Sequence, residues 1–362
     1  MFLGFGEIMG RMAPEGRLRW PQALPGRVDV TWGGGEANVC ASLSLLGNAA
    51  RYVTALPRQP IAESLAATLR GLGVDVSRIL WRKEGRLGLY FVELGANQRG
   101  STVIYDREHS AVSLAQPEEY DWDRILEGVR WLHVTGITPA ISEAAHRSNL
   151  ALVRRAKGAG LTVSCDLNFR KKLWKWRKGT KSQDLARECL SQVLPHVDLV
   201  IANEEDAAEV LGIHAENTDV GHGRLQAAAY ENVAREIIRQ FPKVRRVAIT
   251  LRESHSANHN HWGGMLFDQA EEQAFFAPVD VDGLYSPYSI TDIVDRIGAG
   301  DSFAAGLLHA LNSPSYATPR AAIGFAVAAS CLKHSVHGDF NYITEGEVVA
   351  LMAGNASGRV QR

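Results

Sequence analysis

Strand-like apolar segments alternate with helical segments along most of the chain, and this alternation restricts the possible folds more than any other feature. It is typical of a mainly parallel sheet with helices on both faces, because a parallel crossover connection usually contains a helix. We therefore predict an α/β, doubly wound fold. The clearest strands are expected over 130–134, 161–165, 197–201 and 246–250, and helical spacing predicts helices over 35–46, 60–72, 142–157, 183–194, 204–211 and 319–332.

One part of the chain departs from this alternation. The apolar segments 87–94 and 101–105 flank a polar turn and predict a β-hairpin. A doubly wound sheet has no obvious place for it, so we expect a small lid over the carboxyl ends of the parallel strands, where ligands bind. No Pro/Gly/Ser-rich linker or change in composition divides the 362 residues, which predicts one domain over 1–362.

The composition is that of a soluble enzyme, with 46% hydrophobic and 22% charged residues and a formal net charge of -1. This balance favours neither a nucleic-acid partner nor a membrane partner. No apolar run approaches the roughly 20 residues of a membrane span, and the first residues show no basic region or cleavage site, so we expect a cytoplasmic protein. Four cysteines without a Cys-x-x-Cys pair are expected to be buried reduced thiols: Cys40, Cys165, Cys189 and Cys331.

The segment Gly298-Ala299-Gly300-Asp301 precedes a run of small residues that predicts a helix beginning at Ala299 or Gly300. Two glycines let the backbone pass close to a ligand, and a helix N-terminus directs unpaired N–H groups at an anion. Asp301 could cap this helix, or it could take a proton from a hydroxyl that attacks a phosphate held on those N–H groups. The segment alone leaves both interpretations open.

A second glycine-rich segment, 33–38, precedes the first clear helix. It does not fit the dinucleotide-binding fingerprint, because Asn38 stands where the third glycine would be. Three glycines let a small ligand touch the backbone, and Asn38 can both donate and accept hydrogen bonds, as a sugar or polyol requires. A tight strand-to-helix connection, with Glu36 favouring the helix N-terminus, explains the same residues without a ligand.

Three motifs follow one another in order along the chain. They are 33–38, then Asn203-Glu204-Glu205-Asp206 after a predicted strand, and Asp295-Arg296-Ile297-Gly298-Ala299-Gly300-Asp301 near the end. In order and spacing, over nearly the whole chain, they resemble the PfkB/ribokinase family of carbohydrate kinases. The resemblance implies a ribokinase-like fold with a small β-lid, contributed by about 10–32 and 86–107.

The same resemblance implies an activity. A kinase of this family transfers a phosphoryl group from ATP to a primary hydroxyl, with Mg2+ bound at the nucleotide. The resemblance implies that Asp301 is the catalytic base and that Gly298, Ala299 and Gly300 form the anion hole. The partners that we expect are a small-molecule sugar acid and ATP, in a homo-oligomer.

Within the family, the chain is most similar to the 2-keto-3-deoxygluconate kinases. Their pattern includes a lid Tyr-x-Arg, here Tyr105-Asp106-Arg107, and a segment that is here Asn168-Phe169-Arg170-Lys171-Lys172-Leu173-Trp174. A sugar acid brings a carboxylate, which arginine matches with its forked donors. Tyr105 and Arg107 are two residues apart and so face one side of a strand, and Arg170 follows the carboxyl end of another strand. For each arginine, a solvated surface charge is the alternative.

The resemblance assigns further residues to the two substrates. Asp339 follows the predicted helix 319–332, and a turn aspartate is the ordinary alternative to a contact with the sugar. The implied sugar-binding residues are Gly34, Asn38, Tyr90, Tyr105, Arg107, Arg170 and Asp339. The implied nucleotide-binding residues are Asn168, Asn203, Thr250, Arg252, Gly298 and Gly300, and Asp206 would reach Mg2+ through water.

We therefore predict an ATP-dependent kinase that phosphorylates the terminal hydroxyl of 2-keto-3-deoxygluconate to the 6-phosphate. The same chemistry on a neutral sugar, such as fructose or ribose, is the nearest alternative, and the arginines argue against it. A regulatory protein that binds a sugar acid and has lost catalysis is the alternative from another class. The intact Gly-Ala-Gly-Asp segment argues against that alternative.

Some residues depart from the family pattern. Arg296 stands where threonine is common, Asp206 where glutamate is usual, and Arg252 where a glycine usually follows the strand. A separate cluster, His255, His259 and His261, could bind a metal ion. No carboxylate or cysteine completes a metal-binding set at the usual spacing, so a polar loop is the favoured interpretation.

Overall fold

The computed structural model describes residues 1–203, 205–215 and 229–355, and their elements follow the alternation of the sequence. The strands are β1 Phe2–Phe5, β2 Met9–Ala13, β3 Asp29–Gly33, β4 Ala50–Val53, β5 Ala55–Pro57, β6 Leu80–Arg82, β7 Leu89–Glu93, β8 Thr102–Asp106, β9 Trp131–Thr135, β10 Thr162–Asp166, β11 Leu199–Ala202, β12 Arg246–Ser254, β13 Asn260–Asp268, β14 Gln273–Ala277 and β15 Tyr288–Ile290. The helices are α1 Trp20–Ala23, α2 Gly35–Leu45, α3 Pro60–Gly71, α4 Ala111–Leu114, α5 Trp122–Leu126, α6 Ile137–Ile141, α7 Glu143–Gly158, α8 Ser182–Val193, α9 Ala229–Gln240, α10 Ala299–Asn312, α11 Pro319–Lys333 and α12 Glu345–Met352.

The central sheet has the strand order β14-β13-β12-β11-β10-β9-β1-β4, and β15 also pairs with β13. From β12 to β4 the strands are parallel, whereas β13, β14 and β15 run antiparallel to their neighbours. The parallel strands are buried over most of their length because both faces of the sheet are covered. The predicted strands are confirmed, and β12 extends four residues beyond the predicted end, to Ser254.

Helices cover both faces of this sheet, as neighbouring residues of β11 show. Val200 packs into the hydrophobic cluster that contains residues of α7, α8 and α9. Leu199 and Ile201 point the other way, into the cluster that contains residues of α2, α3, α10 and α11. Successive side chains of a strand alternate between faces, so this division confirms the doubly wound α/β prediction.

The predicted helix over 204–211 is shorter than expected. The structure has a single π-helical turn over Ala207–Leu211, and Gly212 ends it in the left-handed conformation at φ 71°. Glu204 lies outside the described residues. The cysteines are free thiols; three are buried and Cys331 is half-buried. Among the described residues, no helix is both long enough and apolar enough to cross a membrane.

A second, four-stranded sheet has the order β3-β2-β7-β8, and we call it the β-lid. Its β7–β8 part is the predicted hairpin, in which Tyr90 is paired with Tyr105. On one face of the β-lid, Met9, Tyr90 and Val92 form a small hydrophobic cluster against which Ile297 packs. That contact places the β-lid beside the segment 295–301.

Candidate active site

A cleft of about 410 Å³ lies between the β-lid and the carboxyl ends of the parallel strands. This volume is within the ordinary range for small-molecule sites. Its walls are formed by the loops after β10 and β11, the end of β12, the turns before α2 and α10, and one face of the β-lid. Every residue predicted for the site lines this cleft: Gly34, Asn38, Tyr90, Tyr105, Arg107, Asn168, Arg170, Asn203, Asp206, Thr250, Arg252, Gly298, Ala299, Gly300, Asp301 and Asp339.

The N-terminus of α10 depends on Gly298. This residue has φ 84°, and a Cβ on it would lie 2.3 Å from the carbonyl oxygen of Asp339, so only glycine fits. Ser302 N–H donates to the Gly298 carbonyl at 2.9 Å and begins the helical hydrogen bonds. The earlier N–H groups of the first turn, at Gly300 and Asp301, have no partner within the helix, and both residues line the cleft.

Asp301 lies in this first turn, but Gly298 is the capping residue. The Asp301 carboxylate instead accepts a hydrogen bond from Asn38 Nδ2 at 2.7 Å. Burial raises the pKa of Asp301 to about 7, although the hydrogen bond from Asn38 acts to lower it. Near neutral pH the carboxyl group can therefore exist in both protonation states, as a general base requires.

The glycines before α2 are needed for close packing of the backbone. A Cβ on Gly33 would lie 2.1 Å from Asp339 Oδ2, and a Cβ on Gly34 would lie 2.1 Å from the Glu7 carbonyl oxygen. Gly34 N–H also donates to Asn38 Oδ1 at 3.2 Å and so orients the amide toward Asp301. The segment thus serves as a tight connection and as one wall of the cleft.

Asp339 is held by residues of the β-lid. Its Oδ2 accepts a hydrogen bond from Tyr90 OH at 2.6 Å, and its Oδ1 accepts one from Arg11 Nη1 at 2.9 Å. Arg11 also pairs with Asp295 at 2.6 Å, and both side chains are almost completely buried. Burial acts to lower the pKa of Arg11, but Asp295 and Asp339 raise it, so the guanidinium stays charged. Sequence reasoning missed Arg11, because its partners lie almost the whole chain away.

The two arginines predicted to bind the sugar carboxylate differ in their surroundings. Arg107 is buried, and its guanidinium is bonded to Glu7, with Nε donating to Oε2 at 2.5 Å. Arg170 is exposed and donates to the neighbouring Phe169 carbonyl at 3.2 Å. No sequence pattern indicated a role for Glu7, which lies in the short link between β1 and β2.

Two buried carboxylates lie at the other end of the cleft. Asp206 accepts backbone N–H donors from Phe169 and Asn203, each at 3.0 Å, and so ties together the loops after β10 and β11. Asp166, which was not predicted, ends β10 and accepts from Asn168 N–H at 3.1 Å. Burial raises the pKa of both carboxyl groups, and the charge of Asp206 raises that of Asp166 further. The position of Asp166 at the end of a parallel strand was the available sequence signal.

Arg296, which stands where threonine is usual, is hydrogen-bonded to backbone carbonyl groups. Its Nη2 donates to the carbonyl groups of Ser256 at 3.3 Å and Ala257 at 2.7 Å. Burial, followed by the charge of Arg252, lowers the pKa of Arg296. The Arg296 side chain thus connects the turn between β12 and β13 to the segment that leads into α10.

Comparisons with known proteins agree with this architecture. Residues 5–251 and 265–344 match the family described as pfkB family carbohydrate kinase. The chain is 32% identical over 356 residues to the 2-dehydro-3-deoxygalactonokinase of Haloferax volcanii, covering 98% of this chain and 97% of that protein. It is 28% identical over 311 residues to the 2-dehydro-3-deoxygluconokinase of Thermoproteus tenax, covering 84% and 80% of the two chains.

A solved structure gives the same result. The 2-dehydro-3-deoxygluconokinase of Thermotoga maritima has a TM-score of 0.87 to this protein and 40% sequence identity, over 98% of this chain and 99% of that chain. Since the match spans both sheets and the helices on both faces, the predicted ribokinase-like fold is confirmed. The chain belongs to the pfkB family and is an ATP-dependent carbohydrate kinase.

Proposed function

We propose that this kinase phosphorylates the terminal hydroxyl of a 2-keto-3-deoxy sugar acid, with 2-keto-3-deoxygluconate as substrate and its 6-phosphate as product. The proposal depends most on Asp301, a buried carboxylate with a pKa of about 7 in a turn that lines the cleft and leaves N–H groups without a partner in the helix. Phosphoryl transfer to a hydroxyl requires a base and an anion site side by side. The names of the similar proteins support a sugar acid as the acceptor.

In the proposed reaction, Asp301 takes the proton from the sugar hydroxyl as the oxygen attacks the γ-phosphorus of ATP. The bond from that phosphorus to the bridging oxygen of ADP breaks. The N–H groups of Gly300 and Asp301, with the positive end of the α10 dipole, stabilise the charge on the transferred group. Asn38 keeps the Asp301 carboxylate directed at the hydroxyl through its hydrogen bond.

The nucleotide would lie along the loops after β10, β11 and β12, which supply Asn168, Asn203, Thr250 and Arg252. The donor chemistry at this end also fits Mg2+, because Asp166 and Asp206 offer buried carboxylate oxygens. These two carboxylates would hold the ion through water. When bound with ATP, Mg2+ supplies positive charge to the phosphate oxygens.

The sugar would lie between the turn before α2 and the β-lid. Gly34, Asn38, Tyr90, Tyr105 and Asp339 line this part of the cleft and provide both donors and acceptors for hydroxyl groups. Arg107 is already paired with Glu7, whereas Arg170 is exposed. We therefore assign the sugar carboxylate first to Arg170, with Arg107 as a supporting charge.

An ADP-release assay over a matched panel of acceptors tests the substrate class. The panel contains 2-keto-3-deoxygluconate, its C4 epimer 2-keto-3-deoxygalactonate, fructose and ribose. We expect the highest kcat/KM with a 2-keto-3-deoxy acid; the Haloferax relative makes the galactonate the second candidate. A neutral sugar that is used equally well would contradict the sugar-acid assignment. Turnover with none of the four acceptors would favour a regulatory protein.

Arginine variants test how the carboxylate is held. Arg170→Ala should weaken sugar-acid binding by roughly 1.5–3 kcal/mol, the usual value for a charge-assisted hydrogen bond, and should change neutral-sugar kinetics less. Arg107→Ala should also weaken binding, but it leaves Glu7 unpaired. The double variant Glu7→Gln/Arg107→Ala is therefore the control. It separates the loss of sugar binding from the effect of an unpaired Glu7 charge. Equal losses on acidic and neutral sugars would rule out the assignment.

A further inference from the structure

Three histidines gather on one face of the β12–β13 hairpin. Glu253 and His261 are directly paired across the two strands, and His255 N–H donates to the His259 carbonyl at 3.0 Å, which continues the pairing past the strand ends. Residues two apart in a strand share a face, so Glu253, His255, His259 and His261 project on one side. Arg252 alternates to the opposite side and lines the catalytic cleft. The histidine cluster therefore lies outside that cleft.

The spacing of the rings fits a shared metal ion. One ligand nitrogen from each histidine lies within 4.8 Å of the others. His255 Nε2 and His261 Nδ1 are only 3.2 Å apart. Two nitrogens bound to one tetrahedral zinc ion at about 2.0–2.1 Å are separated by about 3.3 Å, so this pair already has the required distance.

A carboxylate that the sequence did not indicate lies beside one histidine of this cluster. Glu253 Oε2 lies 3.0 Å from His261 Nδ1. Spacing along the chain did not reveal it, because the two residues meet across an antiparallel pair.

We propose that His255, His259 and His261, with Glu253 as the acidic group, bind a divalent transition-metal ion of the zinc type. Imidazole suits Zn2+, Co2+, Ni2+ and Cu2+, whereas Mg2+ prefers oxygen ligands. The site is therefore chemically distinct from the Mg2+ that would accompany ATP.

The position of this site connects it to the rest of the molecule. In the turn between the histidines, Ala257 N–H donates to the Asn97 carbonyl, and Asn97 N–H donates to Asn258 Oδ1, both at 2.7 Å. Asn97 lies at the tip of the β7–β8 hairpin of the β-lid. Arg296 reaches the same turn from the segment before α10. A bound ion would hold in place a turn that contacts both the β-lid and the segment 295–301.

Metal titration of the full-length protein without nucleotide tests the proposal. By calorimetry, Zn2+ should bind with one equivalent per chain and micromolar or tighter affinity. Co2+ should give the visible absorption bands of a four-coordinate ion with nitrogen and oxygen ligands. Because these measurements use the wild-type protein, they do not depend on whether any variant folds. Binding weaker than millimolar, or a thiolate-to-cobalt band that places the ion on a cysteine, would overturn the proposal.

Variants locate the ion. His255→Gln and His261→Gln should each weaken Zn2+ binding at least tenfold, and Glu253→Gln by about 10- to 100-fold. The matched control is His109→Gln, at an exposed histidine outside the cluster, which should leave the affinity unchanged. Unchanged affinity in the cluster variants, or an equal loss in the control, would show that the ion binds elsewhere.

Discussion

At the scale of single residues, the protonation state of Asp301 has the largest consequences for activity and stability. Its carboxylate is bonded to Asn38, while Gly298 holds the capping position of α10. The side chain is therefore free of the helix backbone and available to a substrate hydroxyl. Its raised pKa has opposite consequences for activity and for stability, and both can be measured.

Asp301→Asn keeps the size and polarity of the side chain but removes the base. We expect kcat to fall by about 10²- to 10⁴-fold with little change in sugar binding. In the wild type, kcat/KM should rise with pH through about 7, because only the ionised carboxylate accepts a proton. A variant that retains turnover within a fewfold of the wild type would show that Asp301 is not the base.

The same substitution should stabilise the empty protein at alkaline pH. The folded state binds the Asp301 proton more tightly than the unfolded chain does, so its contribution to stability is lost as pH rises through about 7. Asp301→Asn should therefore melt at a higher temperature than the wild type at pH 8, by a margin that shrinks toward pH 5. A constant margin across this range would contradict the raised pKa.

At the scale of elements, the first turn of α10 offers a matched pair of glycines. A Cβ on Gly298 would collide with the Asp339 carbonyl, whereas a Cβ on Gly300 meets nothing within 4 Å. Gly298→Ala should lower the melting temperature and abolish activity. Gly300→Ala should fold normally but raise the KM for ATP, because its methyl group faces the anion site. Equal melting temperatures for the two variants would refute this account of the turn.

The β-lid is the other element whose behaviour can be measured. If it closes over the sugar, hydrogen exchange over residues 87–107 should slow when a sugar acid is added at saturation. The buried strand β10 should exchange slowly throughout and serves as the internal control. Unchanged exchange in the hairpin would mean that the β-lid is a fixed wall of the cleft.

The sequence predicted these elements better than it predicted the contacts between them. Periodicity and glycine positions located the parallel strands, the hairpin and the α10 turn, because those signals are local. The pairs Arg11–Asp295 and Glu7–Arg107 join residues 284 and 100 positions apart, and no local signal reports such partners. The pairing of Arg107 therefore came from the structure alone, as did the carboxylate beside the histidine cluster.

At the scale of the whole molecule, the two large hydrophobic clusters share the central sheet. Alternate residues of β11 enter one cluster or the other, so neither can lose its packing without exposing the strands that support both. We therefore expect one cooperative transition in scanning calorimetry of the full chain, as a single domain requires. Two well-separated transitions would contradict the one-domain prediction.

The attachment of the β-lid determines how it can move. Met9 is paired with Gly33, Gly10 with Leu89, and Leu89 with Asp106, so all four strands join the rest of the chain at the same end of the sheet. Mechanically, the β-lid is a cantilever that is fixed at that end. Its five-residue strands reach about 17 Å, so a tilt of about 20° would move the far end about 6 Å. Two hydrogen bonds between Asn97 and the Ala257–Asn258 turn hold its far end, and a tilt away from that turn would break both.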